Sequence, residues 1–150
     1  MLLVNQVQEN PELFCYTDGA SRGNPGASAY AYLVCFQGSE LAEMGKFLGK
    51  ATNNEAEYHA VIAALEACRR FSRGPVSVCS DSELVIRQLS GRYRVRATHL
   101  LPLYQRVKSL EKSFEKVTYR SVSREDAMIR RMDALCNRIL DDVTKKDHPM

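Results

Sequence analysis

No pair of cysteines in this chain makes a C-x-x-C motif. Cys15, Cys35, Cys68, Cys79 and Cys136 are scattered singly and their number is odd, which reads as reduced thiols packing as small hydrophobes. His59, His99 and His148 share no metal-ligand spacing, so a zinc site is not expected. The longest largely apolar run, residues 27–36, is too short to cross a bilayer. No basic stretch followed by a long apolar one opens the chain, so no signal peptide is read and the expected compartment is the cytoplasm. Internal repeats, low-complexity tracts and linker-like segments are also lacking. What remains is a single expected domain over residues 1–150, with a loose lead-in at 1–11 and a flexible tail at 141–150.

Charge is present in both signs, but it is unevenly placed. The net charge is +3. Residues 1–68 hold 3 Lys/Arg against 8 Asp/Glu, whereas residues 69–131 hold 15 against 6. A basic second half suits a polyanionic partner such as nucleic acid.

Periodicity predicts strands over residues 12–17, 28–36, 41–48, 76–79 and 117–122. It predicts helices from 52–54 to about 69, over 82–89, over 100–114 with Pro102 in the first turn, and over 128–140. In the second strand Tyr30, Tyr32 and Val34 alternate with Ala29, Ala31 and Leu33. Both of its faces are apolar, as in a buried strand. Residues 37–40 form a short hairpin-type link. The order β-β-β-α-β-α-α-β-α implies an α/β fold: a five-stranded mixed sheet, with an antiparallel three-stranded meander plus two further strands, flanked by helices.

Four acids sit where local pattern asks for something else. Asp18 ends the first predicted strand, on the parity of Phe14 and Tyr16. Glu57 lies on the apolar face of the first helix with Val61 and Leu65. Asp81 follows the fourth strand, and Asp133 falls on the stripe Ile129, Cys136, Leu140. Each has a local alternative. Asp81 can cap the next helix and Glu57 can face the helix dipole, whereas Asp133 has the poorest local reason to be there. If the four converge, their repulsion must be offset. A ligand set of oxygens without His or Cys selects a hard cation, magnesium or manganese, and four carboxylates suit a pair of ions.

The stretches Tyr16-Thr17-Asp18-Gly19 with Gly23-Asn24-Pro25-Gly26, Thr52-Asn53-Asn54-Glu55-Ala56-Glu57-Tyr58, Ser80-Asp81-Ser82-Glu83-Leu84 and Arg131-Met132-Asp133-Ala134-Leu135 together resemble the ribonuclease H family, type 1 branch. The short connector Gly91-Arg92-Tyr93-Arg94-Val95 is similar to the compact prokaryotic members, which lack a long basic handle. The resemblance implies a ribonuclease H-like fold, and an endoribonuclease that cleaves the RNA strand of RNA–DNA hybrids to 5′-phosphate and 3′-hydroxyl ends. It implies two Mg2+ ions, with Mn2+ as a substitute, held by Asp18, Glu57, Asp81 and Asp133. It further implies that Asn24 and Thr52 grip a DNA phosphate and that Asn53 and Asn54 approach the minor groove. The exposed basic connector, Arg92, Arg94 and Arg96, is the expected phosphate-binding segment. No obligate protein partner is evident.

Relatives often carry a His in the loop before the last helix, and residues 121–126 contain none; Glu125 or Asp126 is the candidate replacement. Ser123 stands for a Pro, Ile129 for an Asn, and Glu83 for a Gln of the compact members. Two other readings of the same fold are a non-catalytic nucleic-acid-binding module and a nuclease for double-stranded RNA.

Overall fold

A computed structural model of the protein describes residues 11–147. Its elements run β1 (Leu13–Gly23), β2 (Gly26–Phe36), β3 (Ser39–Ala51), α1 (Asn53–Cys68), β4 (Pro75–Ser80), α2 (Glu83–Leu89), α3 (Leu101–Glu111), β5 (Lys116–Ser121) and α4 (Ala127–Asp147). The sheet order is β3-β2-β1-β4-β5. β1, β2 and β3 form the antiparallel meander, and β4 and β5 run parallel to β1. The expected element order and mixed sheet are what the structure has.

Two cores lie on the two faces of this sheet. On one, Leu13, Cys15, Tyr30, Tyr32, Val34, Val76 and Val78 meet the buried sides of α1, α2 and α3. On the other, Ala29, Ala31 and Leu33 meet Met132, Cys136 and Leu140 of α4. The alternation in β2 therefore sends its two tyrosines and Val34 to the three-helix face and its alanines, with Leu33, to the α4 face. The floor under α4 is thin at Gly45 of β3 as well. A Cβ there would come within 2.6 Å of Ile139 Cδ1 and 2.9 Å of Leu135 Cγ.

Several predicted boundaries differ; α3 ends at Glu111 and not at 114, β2 begins at Gly26, and three larger differences bear on the site. β1 does not end at Asp18 but continues to Gly23. Its parallel register with β4 stops at Tyr16–Cys79, while its antiparallel register with β2 runs on to Gly23–Gly26. Asp18 is thus mid-strand on one side and at an open edge on the other. β3 is also longer than expected, because the β2 pairing carries it from Ser39 to Ala51. The polar tail expected from residue 141 is helical through Asp147. Leu140 is buried, the Thr144 hydroxyl donates to the Leu140 carbonyl at 2.9 Å, and Arg22 holds Asp141 at 2.7 Å. Residues 1–10 of the lead-in and 148–150 of the tail lie outside the described residues. No helix among the described residues is long and apolar enough to cross a membrane.

Candidate active site

The site lies where β4 ends beside β1, at the carboxyl ends of the two parallel strands. There β1 keeps only β2 as a partner, and α1 packs against it from one face of the sheet and α4 from the other. Crevices of this kind, at a change of strand order, are where α/β sheets bind ligands.

Glu57 reaches this crevice because the start of α1 is fixed three times over. Thr52 is the N-cap: its Oγ1 accepts from Glu55 N–H at 3.1 Å, and Glu55 Oε1 accepts from Thr52 N–H at 2.7 Å, a complete capping box. Asn24 Oδ1, from the β1–β2 turn, accepts from Asn53 N–H at 3.0 Å. Glu57 Oε1 then accepts from Gly19 N–H at 3.0 Å. The contact between β1 and α1 is backbone on backbone. A Cβ on Gly19 would sit 2.4 Å from the Ala56 carbonyl carbon and 2.5 Å from Glu57 N. Gly19→Ala is therefore expected to cost about 1–3 kcal/mol of stability and to move Glu57 out of place. Thermal unfolding with and without a divalent cation checks this, and a variant as stable and as cation-responsive as the parent would refute it.

Asp18 is buried, and its Oδ2 has no hydrogen-bond partner among the described residues. The Cys136 thiol donates to the Asp18 main-chain carbonyl, at 3.7 Å. Asp81 directly follows β4. It does not cap α2, whose N-cap is Ser82 and which has no side-chain cap bond. The nearest cation to Asp81 is Arg124, with Nε 3.8 Å from Asp81 Oδ2 on a largely solvent-exposed side chain. Asp18, Glu57 and Asp81 each bring a carboxylate oxygen within 4.8 Å of the other two. Asp133 is outside this group. It is exposed on α4, not on the buried stripe, which runs Ile129, Met132, Cys136, Leu140. It nevertheless lines the same open pocket of about 580 Å3, with Asn53, Arg124 and Glu125.

The electrostatics of the trio are those of a site short of positive charge. Burial, then the charges of Asp81 and Asp133, push the Asp18 carboxyl up to about 8. Burial and the Asp18 charge hold Glu57 well above the usual carboxylate range. Burial raises Asp81, against the pull of Arg124. Crowded, desolvated like charges favour the protonated forms unless a cation enters. The donors are all oxygens, and Asp18 Oδ2 is an unpartnered acceptor within the cluster, which fits a hard divalent cation. Cys136 is no competing ligand, because burial and the neighbouring acids raise its thiol far above the ordinary range.

The other sequence candidates divide. Asn53 lines the pocket and Asn24 lies against it through the cap, whereas Thr52 and Asn54 are part-buried and do not line it. Arg92, Arg94 and Arg96 are exposed, with Val95 and Ala97 turned to the core between them, and none lines the pocket. Asp126 is not available to replace the missing His. Its Oδ1 accepts from Met128 and Ile129 N–H at 2.9 and 3.2 Å, capping α4. Glu125 does line the pocket, as do Ser82 and Arg130, which sequence reasoning passed over. Ile129, in the place of the family's Asn, is a core residue at 1% exposure.

A family model described as reverse transcriptase-like matches residues 16–138. Ribonuclease HI of Halobacterium salinarum is 41% identical over 140 residues, 93% of this chain and 69% of that protein. The crystal structure of RNase H1 from the same archaeon superposes with a TM-score of 0.81 at 39% identity, covering 87% of this chain and 98% of that one. LC11-RNase H1, solved in complex with an RNA/DNA hybrid, gives a TM-score of 0.83 at 31% identity, covering 89% and 99%. With the sheet order, the acidic trio and these likenesses spanning nearly all of the described residues, the chain belongs to the ribonuclease H family, in its type 1 branch.

Proposed function

We propose that this protein is a metal-dependent endoribonuclease that cleaves the RNA strand of RNA–DNA hybrids, leaving 5′-phosphate and 3′-hydroxyl ends. The observation that carries the reading is the trio Asp18, Glu57 and Asp81 within 4.8 Å, with Asp18 Oδ2 buried and unpartnered. Asp18, Glu57 and Asp81, with Asp133 from the pocket rim, would hold two Mg2+ ions, with Mn2+ as a substitute. Bound there, the ions supply a water of lowered pKa and charge stabilisation for the leaving 3′-oxygen. The chain's own residues do the rest. Gly19 N–H fixes the orientation of the Glu57 carboxylate. The hairpin turn at Asn24 and the first turn of α1 stand together beside the pocket, which supports a phosphate grip by Asn24 and Thr52 and minor-groove contacts by Asn53 and Asn54. The 2′-hydroxyl distinguishes the strand to be cut. Arg92, Arg94 and Arg96 bind backbone phosphate at a distance from the chemistry, with a salt-dependent affinity. The five cysteines, all unpaired, suit a reducing cytoplasm.

End-labelled RNA–DNA hybrid incubated with magnesium should give RNA fragments with 5′-phosphates, and chelation should stop their formation. Hybrid left intact across a series of divalent cations would overturn the reading. Equal cleavage of an RNA duplex run alongside would assign the site to double-stranded RNA instead.

A further inference from the structure

Asp133 is the one acid of the four delivered from the rim, by a helix lying on a floor of alanines and glycine. Leu33 completes that floor, and Met132, Cys136 and Leu140 of α4 are buried against it. Polar contacts along the helix add resistance to a roll about its axis: Arg22 holds Asn137 and Asp141 in its C-terminal half. Arg131, half-exposed, makes four contacts to two carboxylates of β3: Nη1 to Glu40 Oε2 at 2.7 Å, Nη2 to Glu40 Oε1 at 2.9 Å, and Nε and Nη2 to Glu43 Oε2 and Oε1 at 2.9 Å each.

In a regular strand Glu40 and Glu43, three residues apart, would point to opposite faces. Here they share one because β3 is bulged. Cys35 pairs with Glu40 and Val34 with Ala42, so Leu41 is an extra residue that resets the alternation. Glu40 and Glu43 then lie opposite Cys35 and Leu33, both on the α4 face. Arg131 heads the helix stripe that continues through Leu135 and Ile139, the two residues over Gly45. Asp133, two positions on, is about 200° around the helix from Arg131. The two side chains therefore stand on opposite flanks of a single turn, and a roll that loosens one displaces the other. At a side-chain radius of about 5–6 Å, a roll of about 10° carries the Asp133 carboxylate roughly 1 Å. A misplacement of about 1 Å in a catalytic constellation can cost about 100-fold.

We propose that Arg131, gripped by Glu40 and Glu43 across the β3 bulge, is a positioning residue that locks the rotation of α4 and so sets the reach of Asp133 to the metal centre. The proposal rests on the reading of Asp133 as a metal ligand. Surface ion pairs contribute little to global stability, so the lock shows in metal use and not in unfolding.

The test is a magnesium titration of hybrid cleavage for Arg131→Met and, independently, for the double variant Glu40→Gln/Glu43→Gln, with thermal unfolding of each. Both are expected to raise the magnesium midpoint about 10-fold and to lower Tm by no more than about 4 °C. Arg131→Lys, which can engage one carboxylate but not two in fork geometry, is expected to fall between. In an Asp133→Asn background, Arg131→Met should add nothing to the midpoint. A midpoint unchanged in Arg131→Met while Asp133→Asn shifts it overturns the lock alone. An Asp133→Asn variant with the parent's midpoint overturns the ligand reading, and the lock with it. Activity lost only in proportion to unfolded protein, or additive effects of Arg131→Met and Asp133→Asn, reduces Arg131 to a structural ion pair and overturns the proposal.

Discussion

Replacing Asp18 by Asn is expected to abolish hybrid cleavage, by about 1,000-fold or more, while making the metal-free protein more stable. The loss corresponds to about 4 kcal/mol of transition-state stabilisation. It follows from removing the buried carboxylate of the trio, whose Oδ2 has no hydrogen-bond partner among the described residues. The gain follows from the same geometry. Asp18 is buried against the charges of Asp81 and Asp133, and an amide in its place carries no charge to desolvate or repel and can donate to Glu57 or Asp81. With Glu57 and Asp81 still facing each other, the stabilisation is expected to be about 1–2 kcal/mol, or roughly 2–8 °C in Tm in the presence of chelator. Cleavage rates and unfolding curves of one preparation check both halves. An Asp18→Asn variant that is inactive and also destabilised in chelator would mean that the carboxylate is held by contacts other than a cation.

The second large effect is a reversal of pH dependence by metal. Asp18 titrates near 3.8 when unfolded and at about 8 in the fold. Between those values the native state holds a proton that the unfolded chain has released. Its contribution is therefore full below the unfolded pKa and is lost as pH rises toward 8. Glu57 and Asp81, also raised, act in the same direction. His59, lowered by burial, acts against them, because its charged form is disfavoured in the fold and its contribution is lost as pH falls. With three acids against one imidazole, Tm in chelator should decline from about pH 5 to about pH 8. A divalent cation takes the place of the protons. Saturating magnesium should thus raise Tm most at about pH 8 and least at about pH 5, and the magnesium midpoint should rise as pH falls. Unfolding scans across this range with and without magnesium test it; a metal-free Tm that climbs with rising pH would refute it.

The sequence carries the site more fully than the boundaries around it. Thr52, Glu55 and Glu57 are local signals: a cap, its reciprocal partner and a misplaced acid at the start of one helix. Asp81 is legible only in part, since an acid between a strand and a helix reads equally well as a helix cap, a role that Ser82 takes in the structure. The rest depends on contacts far apart in the chain. β1 runs past Asp18 because β2 pairs with it there, which nothing in Ala20-Ser21-Arg22 announces. Residues 141–147 are helical because Leu140 is buried and Arg22, from the far end of the chain, holds Asp141. In the sequence Asp133 reads as part of the apolar stripe because Ile129, Cys136 and Leu140 bracket it. Met132 fills that stripe instead, and the acid falls on the flank facing the pocket. Glu40 reads as the end of the hairpin link and Glu43 as an exposed strand position, until the longer β3 and its bulge at Leu41 turn both to one side.

The thin floor beneath α4 behaves as a shim. Ala29, Ala31 and Gly45 set the thickness of the layer between sheet and helix, and Asp18 stands on one side of that layer and Asp133 on the other. Thickening the shim by a single methyl at Gly45, which would come within 2.6 Å of Ile139, lifts the helix and widens the jaw in which the cations would sit. If Asp18 and Asp133 share the cations, the spacing between them would be gauged in part by Gly45, which does not line the pocket. A larger side chain on this strip would then disturb the spacing of the two carboxylates as well as the packing of the core.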